Sequence, residues 1–110
     1  MKIIELLEKF ELGVIADGEK NKEVKKIFDG VRRQLISVAL RGGEILSKHK
    51  AHEPITVFCL AGEGIFRAGE NLREEQKLTA GTLITLEAEI EHEVVATPDV
   101  YILVTKFKDA

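Results

Sequence analysis

The sequence predicts an all-β domain, a sandwich or closed barrel, preceded by one short helix. Three observations carry this. Between Gln34 and Phe107 the chain is a succession of short, β-compatible runs, most of them apolar. Turn-forming residues, chiefly glycine, proline, asparagine and aspartate, separate the runs at close intervals. After the first ten residues no long helical pattern returns. Many short strands with turn signals between them build sandwiches and barrels.

At the start, Ile3, Leu6, Leu7 and Phe10 follow the i, i+3, i+4, i+7 spacing of one helical face. The spacing predicts a short amphipathic helix over residues 1–10. Gly13 and Asp17-Gly18 then mark a change of style, and a β-barrel is expected over about 24–107. How residues 14–29 enter the sheet does not follow from their pattern. Gln34 to Arg41 reads as a strand ended by Gly42-Gly43. Ile55 to Leu60 is apolar at both parities, which predicts burial on both faces. Gly62-Glu63-Gly64 reads as a tight turn after it. Ile65 to Ala68 comes next, then a hairpin turn at Gly69-Glu70-Asn71 and an exposed polar strand over 72–78. Ala80-Gly81 turns into Thr82 to Leu86. His92 to Thr97 is a strand, Pro98-Asp99 a turn, and Val100 to Phe107 the last strand.

A chain of 110 residues, 45% apolar and 32% charged, suits one domain with one core, spanning 1–110. The net charge of −3 argues against a nucleic-acid partner, which would need clustered Lys and Arg. The one basic cluster, Lys20 to Lys26, is interrupted by Glu23 and Val24 and reads as a solvated face. A single cysteine, Cys59, excludes an internal disulfide and a cysteine-based zinc site. The charges spread through the first ten residues do not suit a signal peptide. No run approaches the ~18 apolar residues of a membrane span. A soluble cytoplasmic protein with no membrane partner is expected.

The segment from Gly42 to Gly64 concentrates the chemistry: His49, His52, Pro54 and Cys59. On ideal alternation His49, Ala51, Glu53, Ile55, Val57 and Cys59 share one face. Lys50, His52, Thr56, Phe58 and Leu60 take the other. His49 and His52 converge only if the chain bulges near Pro54.

This segment resembles the first motif of the cupin superfamily, G-x5-H-x-H-x3-4-E-x6-G. Gly43 and His49 fit, and Gly62 falls on the closing glycine. Ala51 stands at the second histidine position and Ile55 at the glutamate position. The second motif, G-x5-P-x-G-x2-H-x3-N, can be laid on Gly81 to Ala96. Gly81 and His92 fit, while Glu87, Glu89 and Ala96 replace its proline, glycine and asparagine. The resemblance covers roughly residues 34–107. It implies a small antiparallel jelly-roll barrel, often dimeric, whose usual metal site is three histidines and a glutamate pointing inward. Only His49 and His92 occupy ligand positions here.

Two imidazoles alone make a poor site, since stable Fe, Mn, Ni or Zn centres generally need three or more protein ligands. Glu53 could replace the missing carboxylate, His52 could swing inward near Pro54, or Glu91 or Glu93 could reach in from beside His92. No cofactor is firmly implied; a divalent Fe, Mn, Ni or Zn ion is the class these donors would hold. Otherwise Ala51, Ile55, Val57 and Cys59 line an apolar lumen with His49 and His92 at its mouth, and Cys59 is a buried, inert thiol. Arg41 and Arg67 are candidates for an anion at the pocket mouth, though surface placement suits them better. The alternating acids Glu87, Glu89, Glu91 and Glu93 repel one another on one face and predict an exposed rim.

The leading expectation is therefore a small-molecule-binding barrel with a degenerate or absent metal site. The alternative is a metal-dependent enzyme, of dioxygenase or isomerase type, acting on a small metabolite. Exposed strand edges predict a homodimer under either reading.

Overall fold

A computed structural model describes residues 3–7 and 20–109. Among the described residues there are seven strands: β1 (Lys22–Asp29), β2 (Arg33–Leu40), β3 (Ile45–His49), β4 (Ile55–Ala68), β5 (Glu74–Leu78), β6 (Leu83–Leu86) and β7 (His92–Phe107). All pairings are antiparallel, in the order β1-β2-β7-β4-β5, with β3 on β7 and β6 on β4. The fold is an antiparallel jelly roll organised by its two long strands. The first half of β7 pairs with β3 and the second half with β2, while β4 accompanies it along nearly its whole length. Each long strand therefore runs through both halves of the structure, and the core lies between them.

Alternation decides which residues enter that core. Val38 and Leu40 from β2, Ile55, Val57 and Cys59 from β4, and Val94, Val100 and Ile102 from β7 are all buried. Leu78 is fully buried although the rest of β5 is polar and exposed. The shared inward face of Ile55, Val57 and Cys59 agrees with the sequence reading. Burial of β4 on both faces does not: Thr56 and Leu60 are half-buried and Phe58 is exposed.

Two expected turns are bulges inside continuous strands. Gly62-Glu63-Gly64 does not end a strand; β4 runs through it to Ala68. Its register against β7 slips between Cys59 and Ala61, and again between Gly62 and Gly64. Pro98-Asp99 likewise lies within β7. The glycines are needed because the two backbones nearly touch. A Cβ on Gly62 would stand 2.1 Å from the Asp99 carbonyl oxygen, and one on Gly64 2.8 Å from that of Val95. Bulges of this kind sharpen the local bend.

The helix expected over residues 1–10 is not shown. Residues 3–7 carry no helix, with Ile3, Ile4 and Leu6 exposed, and the remainder of that stretch lies outside the described residues. The hairpin turn at Gly69-Glu70-Asn71 is present, as a single 3₁₀ turn over Glu70–Leu72 with Gly69 at φ 91°. Lys22 to Lys26 forms the outer part of edge strand β1 and is largely exposed.

Candidate functional site

β3 and the start of β7 bring the two motif histidines together. His49 and His92 are register partners, and their rings meet edge to face, 4.3 Å between centroids and 62° between planes. His92 is 4% exposed and stacks on Phe66 of β4, 5.7 Å between centroids at 15°. His49 lies nearer solvent.

Both imidazoles are held in one tautomer. His49 Nδ1 is 2.7 Å from the Ser47 carbonyl, and His92 Nδ1 is 2.9 Å from the Ile90 carbonyl. A carbonyl oxygen only accepts, so each Nδ1 carries the proton and donates. In the neutral rings each Nε2 keeps its lone pair. Burial pushes the His92 pKa below the ordinary imidazole value, and the charges of His49 and Lys106 push the same way. The bond to Ile90 opposes them and is outweighed.

These rings stand beside a cavity of about 460 Å³. Its walls are apolar: Val24, Ile36 and Val38 from β1 and β2, Leu46 from β3, Ala51, Ile55, Val57 and Phe66, and Val94, Ile102 and Val104 from β7. Its polar groups are His49, His92, Ser47 and the lysines Lys22, Lys48 and Lys106. No carboxylate lines it. Of the residues singled out from the sequence, His49, Ala51, Ile55, Val57 and His92 meet in this cavity. Cys59 is absent from the lining and lies fully buried in the adjoining core. Burial raises its thiol pKa, and Sγ donates to the Ala61 carbonyl.

The candidate replacement ligands lie elsewhere. His52 is exposed and pairs with Glu89 at 2.9 Å. That bond, with Lys50 at 3.4 Å, holds the Glu89 carboxyl below its usual range. Glu91 pairs with Lys48, and Glu93 with Arg67, which also holds Glu75. Glu53 is not part of the cavity lining. Among the described residues no group of three His, Cys, Asp or Glu side chains is placed to hold a metal ion. Two imidazoles beside an apolar Ala51 and Ile55 do not supply the donor set of a tight metal centre.

The cavity lysines were missed by sequence reasoning, which nominated Arg41 and Arg67 for an anion. Arg41 donates to the Lys20 carbonyl, and Arg67 is engaged by Glu75 and Glu93. A signal for Lys106 was present: Val100, Ile102, Val104 and Lys106 alternate on one face of β7.

No family model and no curated protein matches the chain. Solved structures do. A cupin superfamily protein from Desulfitobacterium hafniense superposes with a TM-score of 0.77 at 14% identity, covering 98% of this chain and 97% of its own. An RmlC-like cupin with a double-stranded β-helix fold from Methanocaldococcus jannaschii gives 0.75 at 16% identity, covering 97% and 93%. KdgF from a Halomonas species gives 0.69 at 14%, covering 96% and 88%. Likeness over nearly the full length of each chain at such low identity is likeness of fold, and the fold of this chain is the cupin fold.

Proposed function

We propose that this cupin barrel binds a small molecule in the cavity beside His49 and His92, and that it does so without a tightly held metal. One observation carries the reading. The two motif positions that would complete a metal site are Ala51 and Ile55, and both form part of an apolar cavity wall. The cavity volume of about 460 Å³ falls within the ~300–1,000 Å³ usual for small-molecule sites. Apolar walls supply affinity in such a site, and a few fixed polar groups supply orientation. The Nε2 atoms of His49 and His92 suit that second task, because their tautomers are set by the Ser47 and Ile90 carbonyls.

The test combines elemental analysis with a binding measurement. Tag-free protein is incubated with Fe, Mn, Ni or Zn, dialysed without chelator and assayed for metal. The expected content is far below one ion per chain, while 1-octanol shifts the methyl resonances of Val57, Val94 and Ile102. One ion per chain that survives dialysis, and is lost when His49→Ala and His92→Ala are combined, would overturn the metal-free reading. It would support the metal-dependent enzyme instead.

The barrel is also read as a homodimer. Among the described residues, strands β1, β3, β5 and β6 each pair on one side only, and Val24 and Leu83 are exposed on two of them. Sedimentation velocity at micromolar concentration checks this, and a single monomeric species would refute it.

A further inference from the structure

The charge of the cavity is one-sided. Its lining carries Lys22, Lys48 and Lys106 and no acid, in a chain whose net charge is −3. Two of these lysines are engaged at the rim. Lys22 Nζ donates to the Ile45 carbonyl at 3.4 Å, and Lys48 pairs with Glu91 at 3.4 Å. The Lys106 side chain has no hydrogen-bond or ion-pair partner among the described residues. It is half-buried, and it continues the inward-facing series Val100, Ile102, Val104 on β7. Its register partner on β4 is Ile55, the position where the family resemblance expects a carboxylate.

A cation in this place has two consequences. The half-buried stem of Lys106 lies along the apolar wall and carries its positive charge to the cavity, where it attracts an anion. It also repels a second cation, so a divalent ion at His92 would be disfavoured by Lys106 as well as by the missing ligands. The effect of Lys106 on His92 shows that its charge is felt at the imidazole pair. What would pair with the lysine is a negative group attached to something that fills the apolar part of the cavity.

We propose, building on the small-molecule reading above, that the cavity selects monoanions with an apolar body, a monocarboxylate being the simplest. The carboxylate pairs with Lys106 Nζ, and the body lies against Ile36, Val57 and Ile102. Lys106 thereby provides the fixed positive charge that a bound metal would otherwise have brought.

Three probes separate the possibilities: octanoate, 1-octanol and inorganic phosphate, titrated by calorimetry and methyl NMR at low ionic strength. Octanoate is expected to bind at least tenfold more tightly than 1-octanol, with phosphate far weaker than either. Lys106→Met should remove the preference, bringing the affinities for octanoate and 1-octanol to within about twofold of each other. Lys106→Arg should keep the preference. Lys106→Gln repeats the neutral substitution if the methionine variant does not give a folded spectrum. Equal binding of octanoate and 1-octanol, or a preference that survives both neutral variants, would overturn the anion inference and leave the binding barrel standing. Phosphate binding as tightly as octanoate would remove the apolar-body requirement. Failure of both octanoate and 1-octanol to bind would sink the small-molecule reading itself.

Discussion

His49 and His92 touch edge to face at 4.3 Å from paired positions on β3 and β7, and each donates its Nδ1 proton to a carbonyl two residues back. The pair therefore offers two Nε2 lone pairs and no spare proton. A proton added to His92 would be buried beside the His49 ring, with the Lys106 charge also opposing it, so the neutral His92 ring is the form the fold favours.

That preference predicts how stability depends on pH. The groups facing His92 are His49 on β3, Phe66 on β4 and Lys106 on its own strand. Burial, with smaller contributions from His49 and Lys106, lowers the folded-state pKa of His92 below the 6.5 of a free imidazole. Between the two values the unfolded chain binds more protons than the folded one, so stability rises with pH across that window. The contribution is complete above about pH 6.5 and is lost as pH falls below it. Calorimetry from about pH 7.5 down to about pH 5.5 should show a falling thermal midpoint, with a shallower fall in His92→Gln. NMR titration should place the His92 midpoint below 6.5, and His49→Ala should raise it. A midpoint at or above the free value would contradict this.

Much of this site could be read from the sequence, and the rest was hidden for physical reasons. Alternation placed Ile55, Val57 and Cys59 inside because a strand has a fixed side-chain period. It failed for Glu53, which lies where the strand is interrupted and is not in the cavity lining. His49 ends β3 and Ile55 begins β4, so counting parity from one to the other assumed a continuity that the loop at 50–54 breaks. Gly62-Glu63-Gly64 and Pro98-Asp99 read as turns because local sequence does not separate a turn from a bulge. The difference lies in the partner: β7 stays beside β4 through both places. Lys106 escaped notice because charge suggests the surface, although its place after Val104 pointed inward.

The donor set makes a prediction about metals. An ion bound to the folded state at a hundred times its Kd would stabilise it by about 2.7 kcal/mol. Two imidazoles beside an ammonium should gain far less. Added Zn or Ni at about a hundred times the protein concentration should move the thermal midpoint of the wild type no further than that of the His49→Ala, His92→Ala variant. A large shift confined to the wild type would show that a third ligand is recruited.

Cys59 should be slow to react. Its side chain is fully buried and burial raises its pKa, so thiolate is scarce and screened. A disulfide reagent should label it slowly in native buffer and rapidly in denaturant. Cys59→Ser should cost about 1–3 kcal/mol by placing a stronger polar group in the core. Rapid native labelling would mean that the strand opens beside Ala61.

The close approach of β4 to β7 at Gly62 yields a sharp test of the fold. Gly62 and Gly43 both sit at φ +80°, so alanine is strained at either position. At Gly43 nothing lies within 4 Å of an added Cβ. Gly43→Ala therefore isolates the backbone term, about 1–2 kcal/mol. At Gly62 the same atom would meet the Asp99 carbonyl oxygen at 2.1 Å and the Val100 Cα at 3.0 Å. These are backbone atoms held in the β7 ladder, and they cannot rotate aside as a flexible side chain would. Gly62→Ala should exceed Gly43→Ala by at least about 2 kcal/mol in urea unfolding. It should also disturb the methyl resonances of Val100 and Ile102, while Gly43→Ala leaves them in place. Equal costs for the two variants would mean that the strands do not cross as closely as the bulge requires.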